Sequence, residues 1–171
     1  SQLERIEVRL SEITLRFGQN VVDETDAFEL LVTDEADLSG LPESAKAMAR
    51  LAAELKDLEG WRFTLQGPSF IAVMTYADSR TLREEIYRAY VTRATSGERD
   101  NTALISEILS LRKEKATMLG YRDASDLFLE SRMVKSGQNA YDFVEKLSLR
   151  TSPFFEDEKD ELFRFCREEL G

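Results

Sequence analysis

Apolar residues recur every three or four positions along most of this chain, and that spacing predicts helices. Leu3, Ile6, Leu10, Ile13 and Phe17 form one stripe on a helix from about Gln2 to Asp26. The stripe covers too few heptads for a coiled coil and reads as a core-facing surface. Phe28-Glu29-Leu30-Leu31-Val32 breaks the period and runs into an acidic turn, Asp34-Glu35-Ala36-Asp37, so a short strand is predicted at 28–32. A second strand is predicted at 61–65, where Trp61-Arg62-Phe63-Thr64-Leu65 alternates and is rich in aromatic and β-branched residues. The two are expected to pair as an antiparallel ribbon with the intervening helix folded back across it. A two-stranded ribbon is marginal in water, so it must pack on helices or join a sheet completed by further chain.

The remaining punctuation places the other helices. Ser39 near an N-cap, Pro42 in a first turn and Gly60 at a C′ position bracket an Ala/Leu-rich helix from Ala45 to Leu58. Pro68 opens a helix through Ala77, and Thr81-Leu82-Arg83-Glu84 has the form of a capping box for a helix to about Thr95. Ser96–Asp100 is the most loop-like stretch. Asp100 or Asn101 caps the next helix, which carries Leu104, Ile108 and Leu111 on one face and ends at Gly120. Asp123 caps a short helix to about Met133, Ser136-Gly137 forms a turn, and a final helix runs from about Asn139 to Leu170. Pro153 inside it removes one hydrogen bond and bends or splits it. The expected fold class is therefore mainly α, a multi-helix segment of about six or seven helices with one small two-strand ribbon (28–32 and 61–65). No repeat or linker divides it, and 1–171 reads as a single helical segment.

Composition narrows the function. With 33 acidic against 23 basic side chains, the net charge of −10 excludes a phosphate-backbone or anionic-membrane partner, so neither nucleic acid nor membrane is expected. No apolar run approaches membrane-spanning length. The single Cys166 cannot form an internal disulfide, which points to a reducing, cytoplasmic setting. The chain contains no histidine. That removes Ser–His–Asp and Cys–His catalysis, an HExxH zinc site and a Cys₂His₂ finger together. Only an all-oxygen metal site remains, and the acidic residues lack EF-hand spacing. The opening Ser1-Gln2-Leu3-Glu4, without an initiator Met, reads as mid-helix and suggests a segment of a longer chain, with a processed N-terminus as the plainer alternative.

The residue types that can carry chemistry have plainer explanations. Glu84-Glu85, Asp157-Glu158, Asp160-Glu161 and Glu168-Glu169 are adjacent, so on a helix they point about 100° apart rather than at one substrate. Glu84 to Arg88 and Arg164 to Glu168 put opposite charges one turn apart, as on a solvated face. The run Glu156–Glu161 fits the same description, with a basic partner or cation as the functional alternative. Cys166, between Phe165 and Arg167 with no histidine to activate it, is expected to be a small buried hydrophobe. Tyr76, Tyr87, Tyr90 and Tyr121 are candidates to line a groove, although the 87/90 spacing is usual for core residues. Gly97, Gly120 and Gly137 are isolated at turns and form no phosphate cradle. The expected catalytic, cofactor-binding and metal residues are none.

A series of segments carries a resemblance. Leu31-Val-Thr-Asp-Glu-Ala-Asp-Leu-Ser-Gly-Leu-Pro-Glu-Ser-Ala is followed by Leu58-Glu-Gly-Trp-Arg-Phe-Thr-Leu and Gly67-Pro-Ser-Phe-Ile-Ala-Val-Met-Thr-Tyr. Then come Leu82-Arg-Glu-Glu-Ile-Tyr-Arg-Ala-Tyr, Thr92-Arg-Ala, Asp100-Asn-Thr, Glu107-Ile-Leu-Ser-Leu-Arg and Leu119-Gly-Tyr. Weak singly, in this order they resemble the thimet oligopeptidase/oligopeptidase A family of zinc metallopeptidases, over essentially the whole chain. The resemblance implies two mostly helical lobes facing across a deep, narrow channel that admits short, unstructured peptides. It also implies zinc held by an HExxH helix and a downstream Glu, with the first Glu of the motif as general base. All of these lie C-terminal to the matched stretch, so no residue here inherits a catalytic or zinc-binding role.

The expectation is thus a non-catalytic part of the N-terminal, channel-walling lobe, with zinc and short-peptide substrates belonging to the full-length enzyme. Its partner would be the remainder of the peptidase, and exposed apolar surface on the isolated segment would favour self-association. Two other readings stand beside it: a free-standing helical module of the same family that binds peptides or a protein, and an unrelated acidic helical adaptor.

Overall fold

The computed structural model describes residues 1–170, with every side chain among them except that of Leu170. Seven α-helices and two strands follow one another among the described residues: α1 (Gln2–Ala27), β1 (Leu30–Val32), α2 (Glu43–Glu54), β2 (Trp61–Phe63), α3 (Gly67–Tyr76), α4 (Arg80–Val91), α5 (Thr102–Met118), α6 (Ala124–Leu129) and α7 (Gly137–Phe165). The mainly-α fold with one antiparallel ribbon is as expected. The chain divides into two compact units, 1–109 and 110–171, the division falling within α5.

In the first unit, α1 is capped at Ser1. The Ser1 hydroxyl accepts from the Glu4 amide and the Ser1 ammonium donates to the Glu4 carboxylate, a capping box built by the Ser-x-x-Glu order. The predicted stripe faces inward, with Ile6 and Ile13 buried and Leu3, Leu10 and Phe17 half-buried. Burying the two isoleucines is worth roughly 1.5–3 kcal/mol each. Helix α1 lies antiparallel to the start of α5: Arg9 forks onto Glu107 at one end (2.6 and 3.0 Å), while Phe17 and Asn20 meet Asn101 at the other. Leu104 and Ile108 of α5 are buried, as their spacing predicted.

The ribbon pairs Leu30 with Phe63, Leu31 with Arg62 and Val32 with Trp61, so Leu30, Val32, Trp61 and Phe63 share one face. That face meets Leu38, Leu41, Ala49, Val73, Leu82 and Ile86, a core to which the turn before α2 and helices α2, α3 and α4 all contribute. The strands stop at three residues each, shorter than expected. The Thr64 amide donates to the Ser69 hydroxyl (3.0 Å) instead of to a strand partner, and this turns the chain into α3. Gly60 allows the approach to β2. It sits at φ +116°, and a Cβ there would run into the Val32 carbonyl.

Several helix ends differ from expectation for local reasons. Helix α2 stops at Glu54 rather than Leu58 because Asp57 takes φ +56° and the Leu58 amide returns to the Ala53 carbonyl. Pro42 occupies its N-cap position, and Ser39 closes the single 3-10 turn Glu35–Leu38. The capping box expected at Thr81–Glu84 is not formed. Ser79 caps α4 instead, its hydroxyl accepting from the Leu82 amide, and Thr81 lies inside the helix. Helix α4 ends at Val91, before a reversal at Ala94 (φ +53°), and 97–99 forms one 3-10 turn within the predicted loop. At the start of α5 the two candidate caps divide the work. The Asp100 carboxylate accepts from the Thr102 amide (2.8 Å), and Asn101 reaches across to α1.

In the second unit, Asp123 caps α6 as predicted, but α6 ends at Leu129, four residues short of Met133. Helix α7 begins at Gly137, two residues earlier than expected, capped by the Ser136 hydroxyl, and the Gly137 amide donates to Asp126 of α6 (2.8 Å). Pro153 does not split α7, which continues to Phe165 before a π-helical turn at Cys166–Leu170. Thr151 and Ser152 donate to the carbonyls of Leu147 and Ser148 one turn back. Cys166 is half-buried, so the expectation of a buried hydrophobe is corrected.

Asn101 is the buried polar side chain of the first unit, donating to the Phe17 carbonyl (3.1 Å) and accepting from Asn20 (2.8 Å). Replacing it with alanine removes both bonds, at about 0.5–1.5 kcal/mol each, and Asn101→Ala is expected to destabilise by roughly 1–3 kcal/mol in urea unfolding. In the second unit, the Ser125 hydroxyl, the Asp126 amide and the Arg122 guanidinium lower the Asp123 carboxyl from its ordinary value to about 2. A depressed folded-state value means that this cap stabilises fully above the ordinary carboxylate range, and that the contribution is lost as pH falls through about 2. Carbon NMR titration of the Asp123 carboxyl checks this, with a midpoint near 2 expected and one near the usual aspartate value of about 4 contradicting it.

Candidate functional site

One concavity of the first unit follows from the small residues of α2. Ala45, Ala49 and Ala52 recur at helical spacing on the side turned towards α3, whose Ala72 is equally small, so the two helices leave an open cleft of about 580 Å³. Phe63 and Arg62 of β2 lie along it, and Met48, Pro42, Pro68 and Tyr76 complete an apolar lining. Thr64, Gln66, Ser44 and Ser69 supply the polar atoms.

The charges beside the cleft are already matched. The Arg62 guanidinium donates to Glu29 (2.8 Å), to which Lys56 also donates (3.0 Å). Lys56 first and Arg62 second hold the Glu29 carboxyl below its ordinary range. The Gln66 amide donates to Asp26 (2.5 Å). The lining contains no thiol, carboxylate or imidazole. This arrangement can seat an apolar side chain or a short extended segment, and the hydroxyls of Ser44, Thr64, Ser69 and Tyr76 have no carboxylate or imidazole beside them in the lining.

A glycine joint holds the cleft's two ends in place. Gly40 sits at φ +83°, where a Cβ would run into the Tyr76 carbonyl and the Asp78 carboxylate. The approach is closed by the Asp78 amide donating to the Ser39 carbonyl (2.8 Å) and the Ser39 hydroxyl donating to Asp78 (2.7 Å). Arg83 then donates to the carbonyls of Ala77 and Asp78, just past the end of α3. Pro42 and Tyr76, on either side of this joint, both line the cleft.

The four tyrosines have separate surroundings. Tyr76 lines the cleft and Tyr87 is half exposed on the outer side of α4. Tyr90 stacks on Phe70 (3.9 Å between centroids) under the Arg93 guanidinium, which also donates to Thr25 of α1. Tyr121 donates to Glu130, which raises its phenol above the ordinary value. Glu84 pairs with Arg88 (2.7 Å) and Glu156 with Lys159, so these carboxylates behave as charged helix faces. The cleft itself was missed in sequence. Its one signal was the alanine spacing of α2, which reads equally well as ordinary helix-forming composition.

The model of Peptidase family M3 matches residues 73–171, more than half of the chain. The chain belongs to peptidase family M3. It is 45% identical over 171 residues to oligopeptidase A of Haemophilus influenzae, covering 97% of this chain and 25% of that protein. Oligopeptidase A of Escherichia coli is 44% identical over the same coverage. A probable cytosolic oligopeptidase A of Arabidopsis thaliana is 41% identical over 167 residues, 93% of this chain and 24% of that protein. The chain spans about a quarter of the length of these curated relatives.

The zinc that the resemblance implies finds no donor set here. The chain has no histidine, and among the described residues no three Asp, Glu or Cys side chains converge as a metal site. These residues do not fit the group, and no chemical step is assigned to them through it.

The Gly40 joint makes a paired prediction. Gly40→Ala forces a left-handed backbone on a β-carbon against a carbonyl and is expected to cost at least about 1–2 kcal/mol. Gly18 lies in α1, and a methyl group placed on it would meet nothing within 4 Å, so Gly18→Ala should stabilise by about 0.5–1 kcal/mol. Urea midpoints of the two variants moving in the same direction would refute the account.

Proposed function

We propose that this chain is the non-catalytic portion of a zinc-dependent oligopeptidase that degrades short peptides, and that it supplies scaffold, part of the N-terminal lobe walling the substrate channel. The observation that carries the reading is the alignment itself. Nearly all of the chain matches oligopeptidase A proteins, and it accounts for about a quarter of their length. The absence of histidine supports assigning the zinc ligands and general base to the rest of the polypeptide. A cytoplasmic setting belongs to the same reading, supported by the lone cysteine and by the Arabidopsis thaliana relative named as cytosolic. No helix among the described residues is long and apolar enough to cross a membrane.

The apolar cleft favours one further reading, in which the chain by itself holds a peptide without cleaving it. Both are tested with a quenched fluorescent peptide, using the 171-residue chain and, in parallel, a polypeptide of the relatives' length that contains it. The expected result is cleavage by the long polypeptide only, abolished by a chelator and restored by zinc. Chelator-sensitive cleavage by the 171-residue chain refutes its assignment as scaffold. Saturable binding of the peptide by that chain, lost in Ala45→Trp, selects the second reading.

A further inference from the structure

Helix α7 is 29 residues long, and none of its residues is buried. Phe143, Val144, Leu147, Phe154, Phe155 and Leu162 are each at least half exposed. At 100° per residue these six fall within an arc of about 120°, forming a stripe roughly 29 Å long. A contiguous apolar surface of this kind marks an interface. The charges beside it are uneven. Asp142 and Glu145 are balanced by Lys146 and Arg150 in the first half, whereas five acids between Glu156 and Glu161 face only Lys159 and Arg164 in the second.

A second copy is a poor match for this surface. In a parallel pair the acidic halves would lie against each other, and in an antiparallel pair each would meet a half with no net positive charge. The relatives, about four times as long, offer another occupant. We infer that the α7 stripe is the seam by which this chain docks onto the rest of its own oligopeptidase polypeptide, on an apolar surface carrying Lys or Arg opposite residues 156–161. This rests on the proposed function, since it takes the chain as part of a longer enzyme.

Single thiols read the seam directly. In a Cys166→Ser background, Val144→Cys and Leu162→Cys lie on the stripe and Asp160→Cys on the far side of the helix. Each is reacted with a thiol reagent in the 171-residue chain and in the long polypeptide. The stripe thiols are expected to react freely in the short chain and about 100-fold more slowly in the long one, with the Asp160→Cys thiol equally reactive in both. Equal rates at Val144→Cys and Leu162→Cys in the two proteins overturn the inference. So does protection in the short chain that grows with its concentration, which identifies a second copy as the occupant. Amide exchange along α7 of the unsubstituted proteins gives the same reading without any variant, and an unchanged α7 rate overturns the seam. Peptidase activity of the same long polypeptide separates the two ideas. Activity without protection sinks the seam alone, and protection without activity sinks the peptidase reading alone.

Discussion

The first unit depends on covering one face of a very small ribbon. Two strands of three residues cannot hold themselves together in water, since they contribute few cross-strand bonds and leave their apolar face wet. Phe63 and Val32 become a core only because α2 folds back over β2 and because α3 and α4 bring Val73, Leu82 and Ile86 to the same place. Each connection that makes this possible is tight. Gly60 lets the chain pass the Val32 carbonyl, the Ser69 hydroxyl turns it into α3, and Gly40 brings the start of α2 against the end of α3. The cleft between α2 and α3 is a by-product of the same arrangement. Alanines bring no bulk to fill the space that the joint holds open.

Helix α1 is fastened to this core by polar groups as much as by its stripe. Thr25 receives Arg93, Glu24 meets Arg99 at 3.0 Å, Phe17 and Asn20 engage Asn101, and Arg9 pairs with Glu107. The exposed ion pairs among them are each worth little. The amide of Asn101 matters more, because it is itself buried and makes two hydrogen bonds to α1. The second unit contrasts with this. Its longest helix presents phenylalanines to solvent along nearly 30 Å. On the proposed reading, such a surface lies against residues outside the chain.

Much of this was legible in the residues, and the misreadings have physical causes. Ile6 and Ile13 announced their burial by spacing, and Asp123 announced its cap. The box at Thr81–Glu84 misled because two hydroxyls, Ser79 and Thr81, compete for one helix start. The backbone chose the one that also follows the Asp78 joint. The overlong α2 came from helix-forming composition alone, with nothing in Lys56-Asp57 to declare that Asp57 would turn left-handed. Cys166 looked buried beside Phe165, but it follows directly on α7, none of whose residues is buried, and is itself half-buried.

What the sequence determined by itself was class, family likeness and the exclusion of histidine chemistry. Helical period is a local property, ordered motifs survive as a string, and a missing residue type is missing in every fold. Only the tertiary structure decided that Asn101 would bind α1, that Gly40 would close on Tyr76, that the alanines of α2 would border a cleft, and that the α7 stripe would stay open. Each depends on groups far apart in sequence meeting, or failing to meet, in space. Such meetings arise from packing several elements at once, which no window along the chain contains.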